Sequence, residues 1–244
     1  VGSNLSVTMS AYRAFRSPTL NELYRSFRVG NVLTQANSDL RAERLTGAEA
    51  GVNAFTLHRK LNLRGTFFAV DIVNPIANVT LSTTPSLITR QRQNLGRTRT
   101  RGVEIEAVAR LSDAVELSSG YQFVDATVAR FPANTTLEGL QIPQVPRHQW
   151  TVQARYWKPT RLMLSVQGRW VGAQFEDDQN RLLLDRYFTL DLLAGRSLRP
   201  GVEIYAAFEN LFNQRYAVGL TPVPTLGPPL LARVGFRFRH PARD

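Results

Sequence analysis

The chain has no cysteine, two methionines and three histidines among its 244 residues, and only Lys60 and Lys158 of its 30 basic residues are lysines. Without cysteine there can be neither a disulfide framework nor a thiolate metal site; an oxidising envelope compartment fits this composition without being required by it. No run of eighteen apolar residues exists, which excludes a transmembrane helix. It does not exclude a membrane barrel, whose strands are apolar only at every second position. The stretch opens Val1-Gly2-Ser3-Asn4, with no initiator methionine and no charged-then-apolar leader, so a signal peptide is expected to have been cleaved or cut away. A glycine-rich phosphate loop, zinc-ligand spacing and a nucleophile elbow are all missing. The histidines are scattered, His58 in a short turn, His148 at a strand start and His240 in the tail. No catalytic constellation is expected, and neither a metal nor a cofactor.

What is present is arginine and alternation. The formal net charge is +11, with 43% of residues hydrophobic. A basic balance often signals nucleic acid, but here the arginines run along the whole chain instead of clustering among aromatics, so nucleic acid is not an expected partner. From Val202, Ile204, Ala206 and Phe208 alternate against Glu203, Tyr205, Ala207 and Glu209, the period of a strand with one apolar and one wet side. Leu5, Val7, Met9 and Ala11 alternate in the same way, and so do Leu230, Ala232, Val234, Phe236 and Phe238. Ten such strands can be drawn. Short turns at 58–60, 111–114, 158–160 and 197–201 alternate strictly with long segments at about 15–41, 74–88, 132–146, 176–186 and 213–229. Outer-membrane barrels sort their connections by end in this way, whereas a β-sandwich has no reason to. Residues 1–244 therefore read as one all-β unit, an antiparallel transmembrane β-barrel or part of one.

Several motifs sharpen the reading. Phe15 to Tyr24 runs F-R-S-P-T-L-N-E-L-Y; Leu40-Arg41-Ala42-Glu43 is followed by Glu49 and Gly51; Asn94-Leu95-Gly96 precedes Gly102-Val103-Glu104-Ile105-Glu106; and Val202 to Tyr216 runs V-E-I-Y-A-A-F-E-N-L-F-N-Q-R-Y. In this order they resemble the barrel of the TonB-dependent outer-membrane receptors, from Phe15 to Phe238. The resemblance implies a 22-stranded barrel, of which this chain carries about ten C-terminal strands and not the plug domain. It implies a receptor in the cell outer membrane that takes up a scarce ligand with energy from TonB, a ferric siderophore first, then haem, cobalamin or a sugar. TonB would act through the missing plug region. The alternative is that the ten strands close on themselves as a small pore or a barrel protease, since an acidic pair with His148 is similar to what ten-stranded outer-membrane proteases carry.

The faces assign roles. With apolar residues toward lipid, the lumen receives Glu104, Glu106, Gln122, Gln153, Arg155, Gln167, Arg169, Asp191, Glu203 and Arg237. Arg97, Arg99 and Arg101 share parity with Val103 and Ile105 and point outward, toward lipopolysaccharide phosphates, unless a bulge at Gly102 turns them. Trp150, Trp157, Trp170, Tyr187 and Phe188 read as interfacial aromatics. Loop aromatics and charges are the expected ligand contacts: Tyr24, Arg28, Phe175, Asp177, Asp178 and Tyr216. Glu176-Asp177-Asp178 has oxygen ligands suited to calcium, though a solvated acidic loop is the commoner reading. Val234, Phe236 and Phe238 look like the C-terminal signal read by the barrel assembly machinery, with the departure that His240 to Asp244 follow the last aromatic.

Overall fold

A computed structural model describes residues 4–158 and 161–238. Ten long strands form one antiparallel sheet in which each is paired to its sequence neighbour within the set: β1 (Leu5–Arg16), β2 (Glu43–Thr56), β3 (Leu61–Val73), β4 (Arg97–Arg110), β5 (Val115–Arg130), β6 (His148–Lys158), β7 (Leu162–Val171), β8 (Tyr187–Arg199), β9 (Val202–Glu209) and β10 (Leu231–Phe238). Among the described residues no ladder joins β1 to β10, so the sheet is an open wall and not a self-closed ten-stranded barrel. An open wall leaves two rows of unpaired backbone groups, which lipid cannot satisfy. The closed-pore alternative is thereby corrected.

Register confirms the faces. Glu104 pairs with Gln122 and Gln153 with Gln167, then Gln167 with Asp191 and Glu203 with Arg237, so the polar residues form one continuous surface. Gln122 donates to Glu104 at 2.8 Å, and Arg237 meets Glu203 at 3.3 Å. On the opposite surface Val103 pairs with Phe123, Ile105 with Tyr121, Trp150 with Trp170 and Phe208 with Ala232. A slip of one residue would exchange these surfaces, so the alternation itself holds the register. Two aromatics fall on the other side from that expected. Trp157 pairs with Met163 on the face of Arg155, and Tyr187 lies on the face of Thr189 and Asp191, so neither is a lipid-interface residue.

Gly102 is not a bulge. The ladder runs through it unbroken, opposite Phe68 and Val124, and the register shift lies at Arg97/Thr98 instead. The glycine is there because a Cβ would collide with the Phe68 ring and the Phe123 carbonyl. At the short-turn end, Leu57, His58 and Arg59 all take positive φ, and Gly201 turns β8 into β9 with φ of +78°. Strand β8 extends to Arg199, so the 197–201 turn shrinks to Pro200 and Gly201. Pro159 and Thr160, part of the expected third turn, and the tail from Arg239 to Asp244 lie outside the described residues.

The long connections carry structure of their own. The chain does not re-enter the wall at Thr89. Ile76–Thr83 and Ile88–Asn94 form a hairpin above it, and the wall resumes at Arg97. Phe27–Val29 and Val32–Gln35 make a second ribbon, and Val32–Gln35 runs parallel to Ile88–Gln91 so that both hairpins join in one four-stranded sheet. Strand β7 stops at Val171, not Phe175: the Gly172 N–H closes on the His148 carbonyl at 2.9 Å, and Gln174–Phe175 pairs with Leu183–Leu184. The compact apolar cluster sits at this end, where Val79 and Leu95 pack with Val128, Phe131 and Leu137. Burying a side chain of this size contributes about 1.5–3 kcal/mol, enough to press the hairpin of residues 76–94 against the upper wall.

Candidate ligand-binding site

The loop end is bound to the wall by a network that the residue types dictate. Helix α1 (Leu20–Tyr24) begins with a capping box in which Thr19 and Glu22 satisfy each other's backbone N–H groups. Arg16, at the top of β1, forks onto Glu43 of β2 at 2.8 Å from two nitrogens and reaches Glu22 at 3.0 Å. Glu43 also accepts the Ile76 N–H at 2.7 Å, so one arginine ties α1, the rim and the hairpin of residues 76–94 together. Burial alone would raise the Glu22 carboxyl, but hydrogen bonds from Thr19 and Arg16 outweigh it and hold the group below the ordinary carboxylate range. Arg92 donates to the carbonyls of Asn21 and Arg25 and lies over the Phe27 ring at 5.3 Å.

Beneath these loops is a cavity of about 700 Å³, within the range of small-molecule sites. The inner face of the wall contributes Ile72, Thr98, Thr100, Ala126 and Val128, and the loops contribute Asn78, Val79, Arg90, Gln141, Ile142 and Gln144. Four carboxylates also line it, and each is already engaged. Glu43 is held by Arg16 and Ile76; Glu176 accepts from the Leu220 N–H and from the Thr221 N–H and hydroxyl. Asp177 accepts the Arg181 and Leu182 amides at 2.9 and 2.7 Å. Asp178 takes the Thr80 hydroxyl at 2.6 Å and its N–H at 2.9 Å. Arg90 is different: its Nε is buried without a partner. A buried donor left unpaired costs about 1–3 kcal/mol, so the site favours a ligand that brings an acceptor.

The expected contact residues divide. Asp177 and Asp178 line the cavity, but Asp177 closes its own loop onto Arg181 and Leu182 and Asp178 clamps that loop to Thr80. Tyr24, Arg28, Phe175 and Tyr216 stand outside its lining. Tyr24 is exposed at the end of α1, and the Arg28 Nε donates to the Gly30 carbonyl at 2.8 Å. The Phe175 carbonyl accepts from the Gln144 N–H at 2.7 Å. The Tyr216 ring stacks on Tyr187 at 3.9 Å, and burial followed by the neighbouring Tyr187 raises its phenol above the usual value. Sequence reasoning missed Arg90 because it placed Thr89 onward on the descending wall strand. Asn210 and Asn213 explain the N-L-F-N motif. Asn210 is buried, receives the Gln214 N–H and donates to the Gln214 and Pro228 carbonyls, while Asn213 accepts the Leu230 N–H at 3.0 Å.

His148 does not meet the acids of residues 176–178. Its Nδ1 shares a 2.8 Å hydrogen bond with the Tyr121 hydroxyl, and Phe123 packs against its ring at 5.2 Å, both on the outward face. The convergence that the protease alternative needs is not formed.

Comparison with known proteins places these features in context. The model of the family described as TonB-dependent receptor-like β-barrels matches residues 1–211. A ferrichrome outer membrane transporter and phage receptor of Escherichia coli is 32% identical over 129 residues, which is 50% of this chain and 17% of that protein. The siderophore receptor PiuA of Acinetobacter baumannii superposes with a TM-score of 0.75 at 19% identity, covering 97% of this chain and 34% of that one. The ferric yersiniabactin uptake receptor FyuA of Yersinia pestis gives 0.73 at 19%, over 98% and 35%. A copper transporter, OprC, gives 0.76 at 14%, over 98% and 38%. The chain thus spans about a third of the length of these structures, and at such identities they show the fold alone.

Proposed function

This chain belongs to the TonB-dependent receptor β-barrel family of the outer membrane, and on that premise we propose that it forms the loop-bearing wall of a receptor importing an organic ferric chelate, a siderophore, with energy from TonB. The observation that carries the reading is the roofed cavity with Arg90 as its one charged lining group left with an unpaired buried nitrogen. Carboxylates that could have bound a bare cation are occupied by backbone amides, hydroxyls and Arg16, which favours a ligand whose metal is already wrapped in organic donors and whose periphery offers oxygen acceptors. The likeness to the ferrichrome transporter, 32% identical over 129 residues, supports the same cargo class. TonB would act through a plug seated against the polar face of the wall. The barrel assembly machinery would read Val234, Phe236 and Phe238, which share the outward face of β10, opposite Ala206, Ile204 and Val202.

The test is binding of a panel of ferric siderophores, hydroxamate and catecholate, to the full-length receptor, with Arg90→Gln as the probe. An interaction with a charged group contributes about 1.5–3 kcal/mol, so the variant should bind an anionic chelate at least tenfold more weakly and a neutral one nearly as well. Equal affinity of wild type and variant for every chelate would remove Arg90, and the cavity with it, from ligand recognition.

A further inference from the structure

We propose that the outward face of the wall carries, at its outer rim, a docking surface for the phosphate groups of lipopolysaccharide, built from Arg13, Arg44, Arg97, Arg99 and Arg101. This surface is on the opposite side of the sheet from the ligand cavity and does not depend on the transport reading. Three observations carry it. The first is facing. Arg13 pairs with Thr46, Thr46 with Asp71 and Asp71 with Arg99, while Arg44 pairs with Val73 and Val73 with Arg97. The ladder then runs from Arg99 to Ile105 without a shift, so all five arginines share the side of Val103 and Ile105.

The second is height. Arg101, Arg99 and Arg97 lie nine, eleven and thirteen residues from Arg110, where β4 enters its short turn (110 minus 101, 99 and 97), and Arg44 lies twelve from Thr56 (56 minus 44). A tilted strand crosses the hydrocarbon in about nine to eleven residues. Arg101 and Arg13, the latter paired to Thr46 ten residues from Thr56 (56 minus 46), therefore stand at the edge of the apolar band, Arg99 at its outer limit, and Arg97 and Arg44 beyond it, level with headgroups. Trp150 and Trp170, each eight residues from the inner end of its strand (158 minus 150, 170 minus 162), fall just inside that edge, as an interfacial belt should.

The third is charge. Arg97 and Arg99 converge on Asp71, at 4.0 and 3.3 Å. Among the described residues, no carboxylate lies within ion-pair distance of Arg13, Arg44 or Arg101; Asp125, opposite Arg101, is paired with Arg147 at 3.3 Å. Five arginines against one aspartate leave a cationic patch facing the outer leaflet. Guanidinium forks match phosphate oxygens two at a time, which is why arginine and not lysine suits the position.

The experiment uses the full-length receptor, delipidated in detergent and titrated with fluorescent bisphosphorylated lipid A. The triple variant Arg97→Gln, Arg99→Gln, Arg101→Gln should weaken binding at least tenfold, and the corresponding triple lysine variant, which keeps the charge but loses the forks, should fall between it and wild type. Arg155→Gln, on the lumen face, should bind as wild type does, and dephosphorylated lipid A should bind far more weakly to all. Heat-modifiable migration of each variant checks that the barrel is intact. Undiminished binding in a folded triple-glutamine variant would overturn the proposal. So would equal binding of dephosphorylated lipid A, equal preference for phosphatidylglycerol vesicles, full displacement by millimolar inorganic phosphate, or burial of the patch against a second copy of the chain.

Discussion

Removing the Arg16 guanidinium should release the loops at one end of the cavity without harming the wall below. Arg16 is the shared donor for Glu43 and Glu22, with about half of its side chain exposed (44%) and those of its partners mostly covered (17% and 18%). Charged hydrogen bonds in shelter are worth about 1.5–3 kcal/mol each, whereas fully exposed pairs measure about 0.2–1 kcal/mol. For this half-sheltered double fork a discounted coupling of about 1.5 kcal/mol is reasonable, close to a tenfold change in an opening equilibrium. Hydrogen exchange on full-length protein reads it directly. In Arg16→Ala, amides of residues 19–25 and 74–78 should lose about tenfold protection, because Glu43 no longer holds the Ile76 N–H in place, while amides of β4 and β5 stay unchanged. Arg16→Lys should fall between, since an ammonium cannot fork onto the Glu43 carboxylate. The pH dependence has a definite sign. Glu22 has a folded-state value below its ordinary one, so its contribution is complete above the ordinary carboxylate range and is lost as pH falls through the lowered value. Wild-type protection should therefore collapse toward that of Arg16→Ala in acid and not in base. Unchanged protection in Arg16→Ala at neutral pH would refute the idea that this network holds the loops.

Two further perturbations test the wall. Gly102→Ala should lower thermal stability of the full barrel by about 1–3 kcal/mol, because the new methyl must displace the Phe68 ring or the Phe123 carbonyl; a melting temperature equal to wild type would mean that the packing there is loose. Phe238→Ala should slow assembly into the outer membrane, followed as the appearance of heat-modifiable protein after a pulse of synthesis, and a normal rate would show that the closing strand is not the recognised signal.

The wall was legible because its physics is local. A period of two with one apolar face specifies strand and facing together, and the strict sorting of short and long connections specifies which end is which. Departures from that reading have equally local causes. Gly102 looks like a bulge from parity and charge alone, since only the Phe68 ring, 34 residues away in sequence, explains the missing side chain. Trp157 and Tyr187 look interfacial by type, yet their registers place them on the polar face, where Arg155 lies 6.0 Å above Trp157 and Tyr216 covers Tyr187.

The loops were illegible for a different reason. Thr89 to Asn94 reads T-R-Q-R-Q-N, extended in pattern but polar on both faces, and its partners are Val32–Gln35 and Ile76–Thr83, both in loops. The missing apolar face is the local signal against a wall strand, but nothing local says which loop segments it pairs with. The acidic run Glu176-Asp177-Asp178 misleads similarly. Exposed acids would solvate a loop or bind a cation, but these three are spent on segments starting at Leu220, Arg181 and Thr80, one clamp each. The consequence for specificity is that the chemical character of the cavity is set by what the clamps leave over. With the four carboxylates engaged by the loops and by Arg16, the unpaired buried nitrogen left in the cavity lining is that of Arg90, a residue outside any recognisable motif, and it is the group proposed to meet an acceptor on the ligand.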